Sequence, residues 1–476
     1  MIKRITILLA SLCICVSSFA QYNMTLFQMQ EILQSNTLNP SIASNCKWNV
    51  GFPFLGSVSV AATMPISYNS LGAGKDYMDG NKILSSLKNN NMVSMNAGVN
   101  LFFVGYRSMN SYYQFSINER ASFAASINKD PVELLLKGNA GYIGKTLEGQ
   151  VGLSAVYYRE YALSITHDFG NDTWFGVRAR LLFGRIGIHA PNNKNTVSLY
   201  TDPATYGLEM NSDLLVRASL PGTPKFDSNG AVTGFDTDIQ SKDFVFKSVN
   251  SGGAVDLGIN STHEDGWRIS ASILNIGLIN WTKNTHEFKQ NSTLNYSGPT
   301  SAITSWDDLG DTLKSVIKPT HKPEANYSQW LSPAVMFGAS YLAHDNVRLG
   351  ITGYAEYNAA GMPWAITATA LTENVRGFHG ALSYTVTNNS FINLGVGIGA
   401  TFGAFTFHAV TDNIIAFVAP FSQKYGTLQF GMNFRFGCKS LAPKVKSNIP
   451  CPAYGDTNKK NKRALPCPSH KKFTAP

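Results

Sequence analysis

Hydrophobic and polar residues alternate along most of this chain with a period of two, the signature of half-buried β-strands. Between residues 151 and 166, Val151, Leu153, Ala155, Tyr157, Tyr161, Leu163 and Ile165 share one face, and Gly152, Ser154, Glu160, Ser164 and Thr166 take the other. A turn at 168–172 leads to Phe175, Val177, Ala179, Leu181 and Phe183, which alternate with Gly176, Arg178, Arg180 and Gly184. Residues 391–402 set Ile392, Leu394, Val396, Ile398 and Ala400 against Asn393, Gly395, Gly397 and Gly399, and residues 427–436 close with the same rhythm. Many of these runs reach about 11 to 17 residues, whereas a soluble strand is typically ~5–6 residues long. The second face holds Gly, Ser, Thr, Asn and a few charges. That pattern, with Trp174, Trp267, Trp281, Tyr341 and Tyr357 near strand ends, predicts an all-β, antiparallel transmembrane barrel with lipid outside and water or a plug inside.

Fourteen strands are expected, near 49–64, 92–107, 112–127, 150–167, 173–189, 252–262, 267–282, 331–343, 347–358, 362–373, 376–386, 391–401, 404–411 and 424–436. Short turns and long connections then alternate, which puts the long ones outside the cell as large extracellular loops. Extended residues at 195–218 fit a structured loop; as a hairpin they would raise the count to sixteen. Short helices are expected at 131–137, where Pro131 suits a first helical position, and at 305–317.

Composition narrows the classes. Charged residues make up 14% and aromatics 12% of the 476 residues, too few charges for an ordinary soluble protein and too many aromatics for a disordered one. No uncharged apolar run long enough for a membrane helix lies beyond the first twenty residues. The net charge of +9 is concentrated at the ends: residues 437–476 hold nine Lys or Arg against Asp456 alone, and residues 21–436 have a formal charge of −1. A nucleic-acid partner, which needs basic residues spread over a folded face, is therefore not expected. Lys3 and Arg4, an apolar stretch from Ile5 to Val16 and Ser18-Phe19-Ala20 read as a signal peptide over 1–20. The expected organisation continues with a periplasmic or plug segment at 21–48, the barrel at 49–436, and a basic, Pro-rich periplasmic tail at 437–476.

Candidate chemistry is sparse. Gly144-Lys145-Thr146 lacks the earlier glycine of a phosphate loop, because position 139 is Asn139. Gly395-Val396-Gly397-Ile398-Gly399 sits in a strand pattern with no helix after it. Gly338-Ala339-Ser340-Tyr341-Leu342 lacks the last glycine of a nucleophile elbow, and His263-Glu264-Asp265 reads as solvated turn residues. No catalytic residue, metal ligand or cofactor site is nominated, and no enzymatic activity is expected. Glu160, Arg178, Arg180, Asp256, Arg268, Arg348 and Glu356 fall on polar strand faces. They can be ion pairs filling a closed lumen or a ladder of charges along a pore.

Export leaves Cys46, Cys438, Cys451 and Cys467 in an oxidising compartment. Cys46 precedes the first strand and Cys438 follows the last, which barrel closure makes neighbours. A Cys46–Cys438 bridge with Cys451–Cys467 is the preferred pairing, and Cys438–Cys451 the alternative.

Several stretches resemble an uncharacterised family of Bacteroidota outer-membrane barrels. They are Leu33-Gln34-Ser35-Asn36-Thr37-Leu38-Asn39-Pro40, Cys46 to Pro53, Tyr158-Arg159-Glu160-Tyr161, Gly176 to Gly184, Asn275-Ile276-Gly277 leading to Trp281, and Gly431 to Gly437. That family is similar to the PorP/SprF-type barrels of type IX secretion and gliding, and more distantly to FadL-like fatty-acid channels. The resemblance implies a location in the outer membrane of a Gram-negative, Bacteroidota-like bacterium and carries no site residues. The leading expectation is a scaffold or accessory in envelope assembly or secretion, with outer-membrane lipid around it and envelope proteins as partners through the tail and outer loops. The alternative is a passive channel for hydrophobic or small polar substrates.

Overall fold

The computed structural model describes residues 23–71, 79–221, 223–226, 232–236, 250–296, 320–375 and 377–438. The expected signal peptide at 1–20, the helix at 305–317, and the tail beyond Cys438 with Cys451 and Cys467 lie outside the described residues.

In chain order the strands begin with β1 (Cys46–Gly51), β2 (Ser57–Thr63), β3 (Asn90–Ser108), β4 (Ser111–Asn128), β5 (Thr146–Asp168) and β6 (Thr173–Ala190). Next come β7 (Thr196–Thr201), β8 (Leu208–Ser219), β9 (Thr223–Phe226), β10 (Val232–Asp236), β11 (Asn250–Thr262), β12 (Trp267–Trp281) and β13 (Thr285–Tyr296). The rest are β14 (Thr320–Pro323), β15 (Tyr327–Trp330), β16 (Ala334–His344), β17 (Val347–Glu356) and β18 (Trp364–Val375). They are followed by β19 (Phe378–Thr387), β20 (Asn393–Phe402), β21 (Phe405–Thr411) and β22 (Tyr425–Cys438). β9 and β10 form a two-stranded sheet of their own; the other twenty segments form one sheet. Both β1 and β2 pair antiparallel with β3 on one side and β22 on the other, so the sheet closes on itself. Closure satisfies the backbone groups that an open edge would leave unpaired in lipid.

Bends divide some strands into successive segments. β1 continues into β2 past Phe52–Gly56, where Pro53 cannot donate and Phe54 has φ 59°. β12 continues into β13, and β14 runs through β15 into β16, the two lines pairing along their length. With these joined, the wall is a closed antiparallel barrel of sixteen strands. The expected count of fourteen is corrected, because residues 195–218 are not a separate loop. β7 pairs with β5 and β8, and β8 pairs in turn with β6 and with β13. The cause is length: β5 pairs with β6 only as far as Leu153↔Ala190, so its first residues, Thr146–Gln150, take β7 as partner instead.

Consecutive strands meet at one end in turns as short as Met109-Asn110 and Gly403-Ala404, and at the other in longer connections such as 357–363 and 412–424. One of the longer ones carries a helix, Lys129–Lys137, over the expected 131–137.

The side-chain pattern is inverted relative to a water-soluble fold. Leu163, Leu181, Phe337, Ile351 and Leu382 on the outer face are 50–64% exposed, while Glu160, Thr166, Arg178, Arg180 and Thr352 on the inner face are buried. Outward aromatic rings pair near the short-turn end, Trp267 with Tyr341 at 5.2 Å and Trp48 with Tyr106 at 4.6 Å between centroids. An apolar belt edged by aromatics around a polar interior is the architecture of a membrane-spanning barrel. Trp281 does not belong to that edge. It is fully buried, pointing inward over Gly184 and Gly187.

Among the described residues, four short α-helices accompany the strands: α1 (Met24–Gln28), α2 (Gly80–Ser86), α3 (Lys129–Lys137) and α4 (Ile415–Val418).

Candidate functional site: the plugged lumen

Residues 23–45 fold into the barrel. α1 has five residues, too few to hold a helix alone in water, so the wall supplies its stability. Met24, Leu26, Phe27, Met29 and Ile32 are buried and pack with Leu274, Met336, Tyr354, Leu371 and Val410 of the strands. Asn23 accepts from the Leu26 amide at 3.3 Å as the N-cap. Asp412, just beyond β21, finishes the job: its carboxylate accepts from the Met24 and Thr25 amides, both at 2.9 Å, from Thr25 Oγ1 at 2.6 Å and from the Tyr425 hydroxyl at 2.9 Å. Gln28 donates to the Ile351 carbonyl and Thr352 Oγ1.

The following 3₁₀ turn, Leu33–Thr37, crosses toward the opposite wall. There Arg178 donates to the Asn36 and Thr37 carbonyls at 3.0 and 2.8 Å. Ser272 donates to the Leu38 carbonyl, Thr166 to the Pro40 carbonyl, and Asn39 to the Ile259 carbonyl. Glycines make room for this path. A Cβ on Gly176 would overlap the Pro40 carbonyl, and one on Gly397 would overlap the Met29 thioether. Gly397 and Gly399, whose Cβ would meet Met29 and Ile32, therefore seat the plug, while Gly395 lies against Ser383 and the backbone of Thr411 and Asp412.

Four of the charges expected on polar faces come together beside the plug. Arg178 pairs with Asp256 at 2.7 Å; Arg180 pairs with Asp256 at 2.9 Å and with Glu160 at 3.0 Å. Arg120, which the sequence does not single out, adds a contact to Glu160 at 3.3 Å. Asn118 donates to Glu160, and Asn275 accepts from Arg180. Arg268 and Arg348 form a separate group around Glu373, at 3.1 and 2.7 Å, near Glu31 of the plug. Burial raises the Glu31 carboxyl above its usual range against the pull of Arg268. Glu356 joins neither group; it accepts from Tyr354 at 2.5 Å and Asn358 at 2.9 Å.

The plug does not fill the lumen. A cavity of about 90 Å³ remains, with Thr37 and Leu38 of the plug among its lining residues. Ser59, Asn96, Arg120, Ser122 and Ser154 contribute its polar wall, and Val156 and Trp330 an apolar one. Cys46, where the plug meets the wall, is disulfide-bonded to Cys438 at the end of β22. Among the described residues no group of three or more His, Cys, Asp or Glu is placed to hold a metal ion.

A family model described as "Family of unknown function (DUF5723)" matches residues 40–412, and the chain belongs to that family. No curated protein matches the sequence. Among solved structures, the toluene transporter TodX of Pseudomonas putida aligns at 8% identity and a TM-score of 0.37, over 84% of this chain and 92% of that one. A FadL homologue of Pseudomonas aeruginosa aligns at 7% identity and a TM-score of 0.38, over 88% and 100%. The translocator domain of the autotransporter NalP of Neisseria meningitidis aligns at 8% and 0.30, over 88% and 100%.

Proposed function

We propose that this DUF5723 protein is a non-enzymatic channel of the Gram-negative outer membrane, closed at rest by its own N-terminal segment, that passes small polar solutes. One observation carries the reading: the obstruction is a single continuous stretch, residues 23–45, seated on an apolar patch of the inner wall over 24–32 and on polar strand faces over 36–40, with a largely hydroxyl- and amide-lined cavity beside it. A barrel needing only a filled core can fill it with side chains from its strands. A core made of one terminal segment can be displaced as a unit. The scaffold expectation rests on the resemblance to secretion and gliding barrels and on the basic tail and the outer loops, which lie wholly or partly outside the described residues, and no other observation favours it.

Planar-bilayer conductance tests the proposal. The full-length protein should give rare, brief openings, and a chain lacking residues 23–43 should give large, steady ones. A second variant, Met29→Cys with Gly397→Cys, should stay silent when oxidised and regain wild-type openings when reduced. A plug-deleted barrel that folds, as judged by heat-modifiable gel mobility, yet stays silent would end the channel reading.

A further inference from the structure

We propose that the lumenal cavity binds one neutral sugar ring, with Trp330 as its platform and the side chains of Asn96 and Ser122 as hydrogen-bond partners of its hydroxyls. This deepens the channel reading by naming a class of solute, and rests on that reading only for the solute's passage. Successive residues of a strand point to opposite sides. In β15, Tyr327 donates to the Gly187 carbonyl at 3.0 Å, and Gln329 donates to Ser154 Oγ and the Ile188 carbonyl at 3.1 and 3.0 Å. Both residues are buried, and they hold one side of β15 against β5 and β6. Trp330 has the opposite parity. It lines the cavity and is 67% exposed, whereas Trp281, on the packed side, is fully buried. An indole left open on an enclosed space is apolar surface that a ligand can cover.

The rest of the lining is neutral apart from Arg120, whose charge Glu160 answers at 3.3 Å. β2, β3, β4 and β22 contribute Ser59, Asn96, Ser122 and Thr427. Asn96 and Ser122 stand opposite each other in the register of β3 and β4. Among the described residues neither of these two side chains has a hydrogen-bond partner. The wall therefore offers an incoming solute polar groups and an aromatic face. It offers an ion no opposite charge to pair with, and a charge enclosed without a partner is costly.

Those groups select among neutral solutes. A serine hydroxyl both donates and accepts, and an asparagine amide carries one group of each kind. Sugar hydroxyls are donor and acceptor at once, so they can satisfy both. The C–H face of a pyranose ring is apolar and flat enough to lie on an indole, whose ring face carries partial negative charge toward those hydrogens. Size sets the limit. The cavity, about 90 Å³ for the centres of water molecules, holds on the order of six to nine waters at ~10–15 Å³ each. That is room for one ring, not for a chain of them.

Saturation-transfer NMR of methyl β-xyloside, a single pyranose ring, with the full-length protein in nanodiscs tests this. The ring protons should receive saturation from the protein, and glucose should displace the xyloside. Acetate, which is charged, and cyclohexanol, a ring with one hydroxyl, should not displace it at the same concentration. Trp330→Ala removes a mostly exposed ring and should weaken binding about three- to tenfold, the loss of an aromatic contact; Trp330→Phe should keep part of it. Ser122→Ala should weaken binding about two- to tenfold, the loss of a neutral hydrogen bond. The proposal is overturned if the xyloside receives no saturation, if cyclohexanol or acetate competes as well as glucose, or if a Trp330→Ala barrel of normal heat-modifiable mobility binds as the wild type does. Failure here with a conducting plug-deleted barrel would reject the sugar site alone. Binding here with a silent one would reject the channel.

Discussion

The two halves of the plug are held by different physics. Residues 24–32 bury Met24, Leu26, Phe27, Met29 and Ile32 against apolar side chains of the wall. Residues 36–40 are gripped mainly through their backbone carbonyls, by Arg178, Ser272 and Thr166. Apolar burial is lost when that half leaves its seat, because water cannot replace it. Hydrogen bonds to carbonyls can be exchanged for bonds to water entering the lumen, so those from Ser272 and Thr166 contribute only ~0.5–1.5 kcal/mol each net and those from the Arg178 guanidinium ~1.5–3. The comparison teaches that the first half anchors the plug and that the second half positions it and can yield first.

Three substitutions can break or sharpen that contrast, each read by the temperature at which the heat-modifiable band converts to the unfolded one. Phe27→Ala strikes the apolar half and should cost about 3–5 kcal/mol, as emptied aromatic sites do; a shift no larger than for a surface substitution would contradict the anchor. Asp412→Asn keeps the shape but weakens the cap on α1, where the carboxylate serves four donors. It should cost about 1–3 kcal/mol, and a neutral outcome would mean that α1 is held by packing alone. Thr166→Val removes one hydroxyl from the Pro40 carbonyl, a bond of 2.6 Å. It should cost about 1 kcal/mol, the least of the three, and a larger loss than for Phe27→Ala would invert the comparison.

The strand wall was largely legible in the sequence because a strand's faces alternate wherever it is placed. Leu163 and Leu181 face outward, and Glu160 and Arg180 inward, as their positions in the pattern imply. What depends on neighbours far along the chain was not legible. β7 and β8 alternate only over short runs, and nothing local says that β5 outruns β6 and must find another partner. Pro53 is a local signal for the bend between β1 and β2, and it could have been used. Residues 21–45 are amphipathic over Leu26–Leu33, a pattern that suits a surface helix as well as a plug. The groups that fix them, Asp412 and Arg178, lie 388 and 142 residues away from their partners. Arg120 and Glu373 were missed for the same reason: only strand register brings them to Glu160 and to Arg268 and Arg348.

The central claim, that residues 23–45 are a resident part of the barrel's interior, is tested most directly by amide hydrogen exchange on the full-length protein in a bilayer. The Met24 and Thr25 amides, bound to Asp412, and the Ser35 and Leu38 amides, bound within the plug, should exchange as slowly as those of β17 to β20. Exchange of the plug amides at the rate of an open chain, while the strands stay protected, would contradict it.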